Sequence, residues 1–130
     1  MKRLLDTNAY SALKRGHGEV AQLVRDSVEL AFSMVVIGEL LFGFRNGTSV
    51  QRNTAELEEL LVSPRVTVLP VTRTTADRFG RIAAMLRKAG TPIPSNDIWI
   101  AAHAVESGAE LLSFDAHFAA VPGLVWTQLS

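Results

Sequence analysis

Four acidic residues stand in this chain where a carboxylate needs a reason. Asp6 ends the apolar run Leu4-Leu5 and is followed by Thr7 and Asn8, and Glu39 lies inside Val35-Val36-Ile37-Gly38-Glu39-Leu40-Leu41-Phe42. Asp97 follows Ser95 and Asn96, and Asp115 follows Leu111-Leu112-Ser113-Phe114. Taken singly, three have ordinary explanations: Asp6 as a helix cap, Asp97 as a complement to the dipole of the helix it begins, Asp115 as a turn former. Glu39 has less excuse, since a charge among apolar neighbours is costly unless it pairs with an arginine or binds a metal. Gathered together, the four would raise one another's pKa unless a cation compensates. Oxygen-only donors select hard ions, hence Mg²⁺ or Mn²⁺ rather than zinc. Such an ion makes a nucleophile of a bound water, and the same ion or a second one neutralises a phosphate and its leaving oxygen. This is the chemistry of a metal-dependent nuclease. Thr7, Asn8, Ser95, Asn96 and Ser113 adjoin the carboxylates, where they either orient ligands and water or simply cap helices.

Other chemistries find less support. Gly16-His17-Gly18-Glu19-Val20-Ala21 has the spacing of a dinucleotide fingerprint but lies between helical segments instead of following a strand. There is no phosphate-binding Gly-Lys-Ser/Thr loop and no serine nucleophile elbow. With no cysteine, a disulfide framework and a thiolate zinc site are both excluded. His17, His103 and His117 lack the spacing of a zinc site. His117 is close enough to Asp115 to reach a phosphate or water, but its expected role is partly exposed packing.

The elements that must position these residues follow from apolar spacing. Leu4-Leu5 is a short strand, Ala9 to Arg15 a helix closed by Gly16-His17-Gly18, and Val20, Leu23, Val24 and Val28 mark a second helix paired with it. Leu30 to Met34 reads as a strand, Val35 to Arg45 as a helix ended by Asn46-Gly47, and Gln51 to Leu61 as another helix. Val66 to Val71, rich in β-branched residues, is the clearest strand. Thr74 with Asp77 resembles a capping box for a helix that turns Phe79, Ile82, Ala83 and Leu86 inward and stops at Gly90. A helix from Ser95 or Asn96 to Gly108, a strand from Ala109 to Ser113 and an edge strand at Leu124-Val125-Trp126 complete the chain. Strands alternating with helices imply crossover connections and a mainly parallel sheet covered on both faces, a three-layer α/β sandwich. In such sheets ligands bind beyond the carboxyl ends of the strands, where Asp6 and Asp115 fall.

Composition agrees with one folded domain over residues 1–130, with 48% hydrophobic and 20% charged residues. Lys+Arg and Asp+Glu are both 13, so any nucleic-acid binding must come from local placement of charge. Ten of the 13 basic residues are arginine, which suits bidentate phosphate contacts. The first residues lack the long apolar core and small-residue cleavage site of a signal peptide, and no apolar run is long enough to span a bilayer, so a cytoplasmic location with no membrane partner is expected.

The quoted motifs carry a resemblance. Leu5-Asp6-Thr7-Asn8, Glu39-Leu40-Leu41-Phe42-Gly43, Asp97-Ile98-Trp99-Ile100-Ala101-Ala102, Leu111 to Phe118 and Val121-Pro122-Gly123-Leu124 stand in the order found in PIN-domain ribonucleases. The chain resembles, within them, the VapC-type toxins of toxin-antitoxin pairs. This resemblance implies a PIN-like α/β/α sandwich with a sheet of four to five strands and an endoribonuclease activity on RNA. It also implies Mg²⁺ or Mn²⁺ held by Asp6, Glu39, Asp97 and Asp115 as metal-binding and catalytic residues, a homodimer, and a cognate antitoxin laid across the groove. Ser113 stands where the family often has Thr, and the fourth acidic position alternates in the family between Asp and Asn. Phe42 and Phe44 suit antitoxin or dimer contacts as well as they suit a core. Arg45, Arg52 and Arg73 would steer phosphates or be simply solvated. Two rival readings are a PIN fold without catalysis, kept for protein interaction or RNA binding, and a phospho-acceptor receiver. The receiver wants an adjacent acidic pair near the start and a late lysine, but no second acid flanks Asp6 and the last lysine is Lys88.

Overall fold

The computed structural model describes residues 1–130. Five strands, β1 (Lys2–Leu5), β2 (Glu29–Ser33), β3 (Val66–Leu69), β4 (Glu110–Ser113) and β5 (Trp126–Gln128), form one sheet in the order β3-β2-β1-β4-β5. Every pairing is parallel, with Leu4 opposite both Ala31 and Leu111. The connections carry α1 (Thr7–Lys14), α2 (Gly18–Arg25), α3 (Met34–Arg45), α4 (Val50–Leu61), α5 (Arg73–Ala89) and α6 (Ser95–Ser107), and a 3₁₀ helix spans Ala116–Ala120. From β1 the chain builds outward to β3, then returns across the sheet to β4. Right-handed crossovers therefore place α1 to α4 on one face and α5 and α6 on the other, the three-layer sandwich expected. The reversal lies between β1 and β4, and the crevice beyond their carboxyl ends is the favoured ligand position for such a sheet.

The central strands are buried on both faces: Leu4, Leu5, Phe32, Leu111 and Leu112 are fully enclosed. Tyr10 of α1 meets Phe32 edge-on at 6.0 Å, and Phe79 of α5 stacks on Trp99 of α6 at 4.1 Å. A buried polar relay fixes the helices that bear the acidic residues. Ser33 caps α3 by accepting the Val35 N–H at 3.1 Å, and His103 of α6 lies 2.8 Å from the Ser33 hydroxyl through Nδ1 and 3.0 Å from the Pro70 carbonyl through Nε2. A carbonyl only accepts, so Nε2 bears the proton and Nδ1 accepts from Ser33.

Several boundaries and caps differ from expectation: α1 begins at Thr7 instead of Ala9, and β3 ends at Leu69, before Pro70, instead of at Val71. Val28 leaves the second helix, which ends at Arg25; it is 76% exposed and its N–H donates to the Met1 carbonyl, starting the pairing of β2 with β1. The capping box of α5 is Thr72 with Thr75, because the Thr75 hydroxyl serves the Thr72 N–H in place of a Glu or Gln. The last strand begins at Trp126, although the Val125 carbonyl already accepts from the Leu111 N–H. β3, the most strand-like segment in composition, is an edge strand only partly buried.

Candidate metal centre

Each of the four carboxylates reaches the crevice from a different element. Asp6 is the N-cap of α1: Oδ1 accepts the Ala9 N–H at 2.9 Å, and Oδ2 accepts the Ser113 hydroxyl at 2.6 Å. Ser113, the last residue of β4, also accepts the Asp115 N–H at 3.0 Å, so one buried hydroxyl links two acidic positions. Glu39, mid-way along α3, accepts from the Thr7 hydroxyl at 2.5 Å and from the Asn96 amide at 3.2 Å. Asp97 lies in the first turn of α6, and Asp115 precedes the 3₁₀ helix. Asp6, Thr7, Asn8, Glu39, Asp97, Ile100 and Asp115 line one cavity of about 240 Å³.

Glu39 corrects the reading of its surroundings. The residue is half-buried, because Gly38 and Phe42 leave one side of α3 open, Phe42 being 68% exposed. No arginine pairs with it. The lysine and arginine ion pairs of the molecule all lie on other carboxylates. Burial is the main reason that the Asp6 carboxyl is raised above its ordinary pKa; the Ser113 and Ala9 bonds oppose this, and the charges of Asp115 and Glu39 add to it. Asp97 is raised first by burial and then by Glu39, Asp115 and Asp6, against the lowering influence of His117.

His117 is the residue that sequence reasoning assigned to packing and that the fold brings into the centre. Its Nε2 lies 3.0 Å from Asp97 Oδ2 and its Nδ1 3.2 Å from Asp115 Oδ1. Nε2 is shielded from solvent yet has no hydrogen-bond partner, since its contact with Asp97 lacks the direction of one. Asp97, Asp115 and His117 can each present a ligand atom within 4.8 Å of the others. The spacing Asp115-Ala116-His117 at the start of a tight helix was the available signal. Of the neighbouring polar residues, Thr7, Asn96 and Ser113 hold carboxylates and Asn8 lines the cavity. Ser95 opens α6 without capping it and does not line the cavity. An unpaired buried nitrogen beside carboxylates that no lysine or arginine compensates fits a divalent cation.

A profile of the PIN domain matches residues 3–124. The chain belongs to the PIN domain family. Among its relatives is Ribonuclease VapC2 of Haemophilus influenzae, 34% identical over 115 residues, which cover 87% of this chain and 86% of the relative. The VapBC-1 structure from nontypeable Haemophilus influenzae superposes on this PIN domain with a TM-score of 0.85 at 28% identity, covering 98% of both chains. VapBC2 from Rickettsia felis, bound to a DNA fragment from its promoter, gives 0.86 at 22% identity over the whole of both chains, a likeness of fold. In this PIN domain the crevice between β1 and β4 is therefore the place where family fold and acidic geometry coincide.

Proposed function

We propose that residues 1–130 act as one endoribonuclease domain, the toxin of a VapBC-type pair, hydrolysing RNA phosphodiester bonds in the acidic cavity with Mg²⁺ or Mn²⁺. The observation that carries this reading is the convergence of Asp6, Glu39, Asp97 and Asp115 on one cavity without a lysine or arginine partner. The VapC ribonucleases among the relatives and the VapBC assemblies among the similar structures support the activity and a cognate antitoxin partner.

Asp6, Glu39, Asp97 and Asp115 would hold the ion. Once bound, the ion would supply an activated water and charge neutralisation at the phosphate. The chain's own part is positional. Ser113 and the Ala9 N–H fix the Asp6 carboxylate on two sides, and Thr7 and Asn96 fix Glu39 on two sides, so neither must reorganise when RNA arrives. Asp115 is the exposed member of the four. Hydrolysis by water leaves the ribose 2′-hydroxyl unused, so the products carry a 5′-phosphate and a 3′-hydroxyl. A cytoplasmic homodimer is the working assembly in this reading, and no helix is long and apolar enough to cross a membrane.

Incubation of total cellular RNA with antitoxin-free protein tests the reading, with folded Asp97→Asn alongside. Discrete fragments with 5′-phosphate ends, abolished by chelator and by the substitution, are expected. Cyclic-phosphate ends, or cleavage indifferent to both treatments, would refute a metal-dependent nuclease. Metal binding without any cleavage would instead favour a PIN fold kept for interaction.

A further inference from the structure

His117 makes a contact that ordinary packing does not require. Its ring lies beside the fully buried Phe118 at 4.8 Å, and Phe118 anchors the 3₁₀ helix in the core, which holds the imidazole between two of the cavity's carboxylates. One nitrogen faces Asp97 Oδ2 at 3.0 Å and the other faces Asp115 Oδ1 at 3.2 Å. The Nε2 atom is out of reach of solvent and is misdirected for a hydrogen bond to Asp97. Leaving such a nitrogen unpaired is costly, because its desolvation is not repaid by a hydrogen bond. Adjacent ligands of an octahedral ion with bonds near 2.1 Å lie about 3 Å apart. The Nε2 to Oδ2 separation of 3.0 Å therefore suits two ligands of one ion, and the misdirection of the pair argues against a donor and an acceptor at the same distance.

We propose that His117 is a nitrogen ligand of the divalent ion held by Asp97 and Asp115, and that it biases this centre toward Mn²⁺ over Mg²⁺. The inference rests on the metal-centre reading above. Mg²⁺ is a hard ion that prefers oxygen and keeps its waters, whereas a first-row transition ion accepts imidazole more readily. An all-carboxylate pocket would lack that preference. His117 supplies it from a position that only the turn after Asp115 creates.

Electron spin-echo envelope modulation of Mn²⁺ bound to the full chain tests this directly. Wild type is expected to show modulation from a coordinated ¹⁴N that changes to the ¹⁵N pattern when the histidines are ¹⁵N-labelled. His117→Gln is expected to lose that signal while binding Mn²⁺ roughly tenfold more weakly, with a correspondingly smaller preference for Mn²⁺ over Mg²⁺. His17→Gln is expected to keep it, because His17 caps α2 and packs on Phe114. The labelled wild type decides the question even if a variant folds poorly. Stoichiometric Mn²⁺ without nitrogen modulation would overturn the role of His117 and leave the carboxylate centre standing. Absence of Mn²⁺ binding would overturn both.

Discussion

At the amino ends of the strands, Glu110 accepts from Arg3 Nε at 2.8 Å and from the Thr127 hydroxyl, while Glu29 lies 3.7 Å from Lys2 Nζ and accepts from Thr67 at 2.7 Å. At the carboxyl ends, Asp6 and Glu39 accept from Ser113, Thr7 and Asn96, and no lysine or arginine joins them. Burial pushes the Glu110 carboxyl up, yet the bonds from Thr127 and Arg3 and the Arg3 charge bring it below its ordinary pKa. Asp6 and Asp97 stand above theirs. Both ends of the sheet organise hydroxyl donors around carboxylates. They differ in the positive charge: the chain itself supplies it at one end, and at the other no lysine or arginine does, which is where the proposed ion would sit.

The largest test of that contrast is activity. Asp97→Asn is expected to lower the rate of RNA cleavage by roughly 10²- to 10³-fold, whereas Glu110→Gln leaves it nearly unchanged. Equal losses in initial-rate assays would erase the distinction between the two ends. Mn²⁺ at about 100 times its dissociation constant should raise the unfolding free energy of wild type by about 2.7 kcal/mol in denaturant titrations. Glu110→Gln should keep this increment, and Asp97→Asn, with its weaker affinity, should lose about half of it or more. Ser113→Ala frees one oxygen of Asp6 and should weaken metal binding by about tenfold, read by calorimetry. An unchanged affinity would show that the hydroxyl only caps Asp115.

Smaller effects sharpen the contrast in the metal-free protein. Asp97→Asn should stabilise it at neutral pH by roughly 1 kcal/mol, because a partly desolvated charge is removed, and Glu110→Gln should destabilise it by a similar amount. The pH dependences have opposite signs. Raised carboxyls favour the folded state at low pH, and that contribution is lost as pH climbs from the ordinary carboxylate range through the raised values of Asp6 and Asp97. The lowered carboxyl of Glu110 stabilises above the ordinary range and loses its contribution as pH falls through the lowered value. Thermal midpoints of metal-free wild type should rise on mild acidification, less so in Asp97→Asn, and fall on stronger acidification, less so in Glu110→Gln.

Much of this was legible in the chain because apolar spacing and acidic placement reinforce each other. Leu4-Leu5 followed by Asp6-Thr7-Asn8 encodes both a buried strand and the cap of the next helix, and α1 begins directly after Asp6 at Thr7, two residues before the expected Ala9. Glu39 was read as buried because its sequence neighbours are apolar. On a helix those neighbours are spread around the axis, and Phe42 turns out to face solvent. His117 was missed for a different reason: its partner Asp97 is twenty residues away, and only the crossing from α6 through β4 brings them to 3.0 Å. β3 is a strand as its β-branched composition announces, but that composition does not tell whether a strand lies at the edge.

The carboxyl-end cluster lacks a lysine or arginine partner, and the proposed divalent ion would supply the missing charge. Calorimetric titration of Mn²⁺ into wild type, Asp97→Asn and Glu110→Gln measures this most directly. Saturable binding is expected for wild type and Glu110→Gln, with affinity lower by about 10- to 100-fold in Asp97→Asn. Equal affinity in all three proteins, or no saturable binding by wild type, would contradict the proposed ion site.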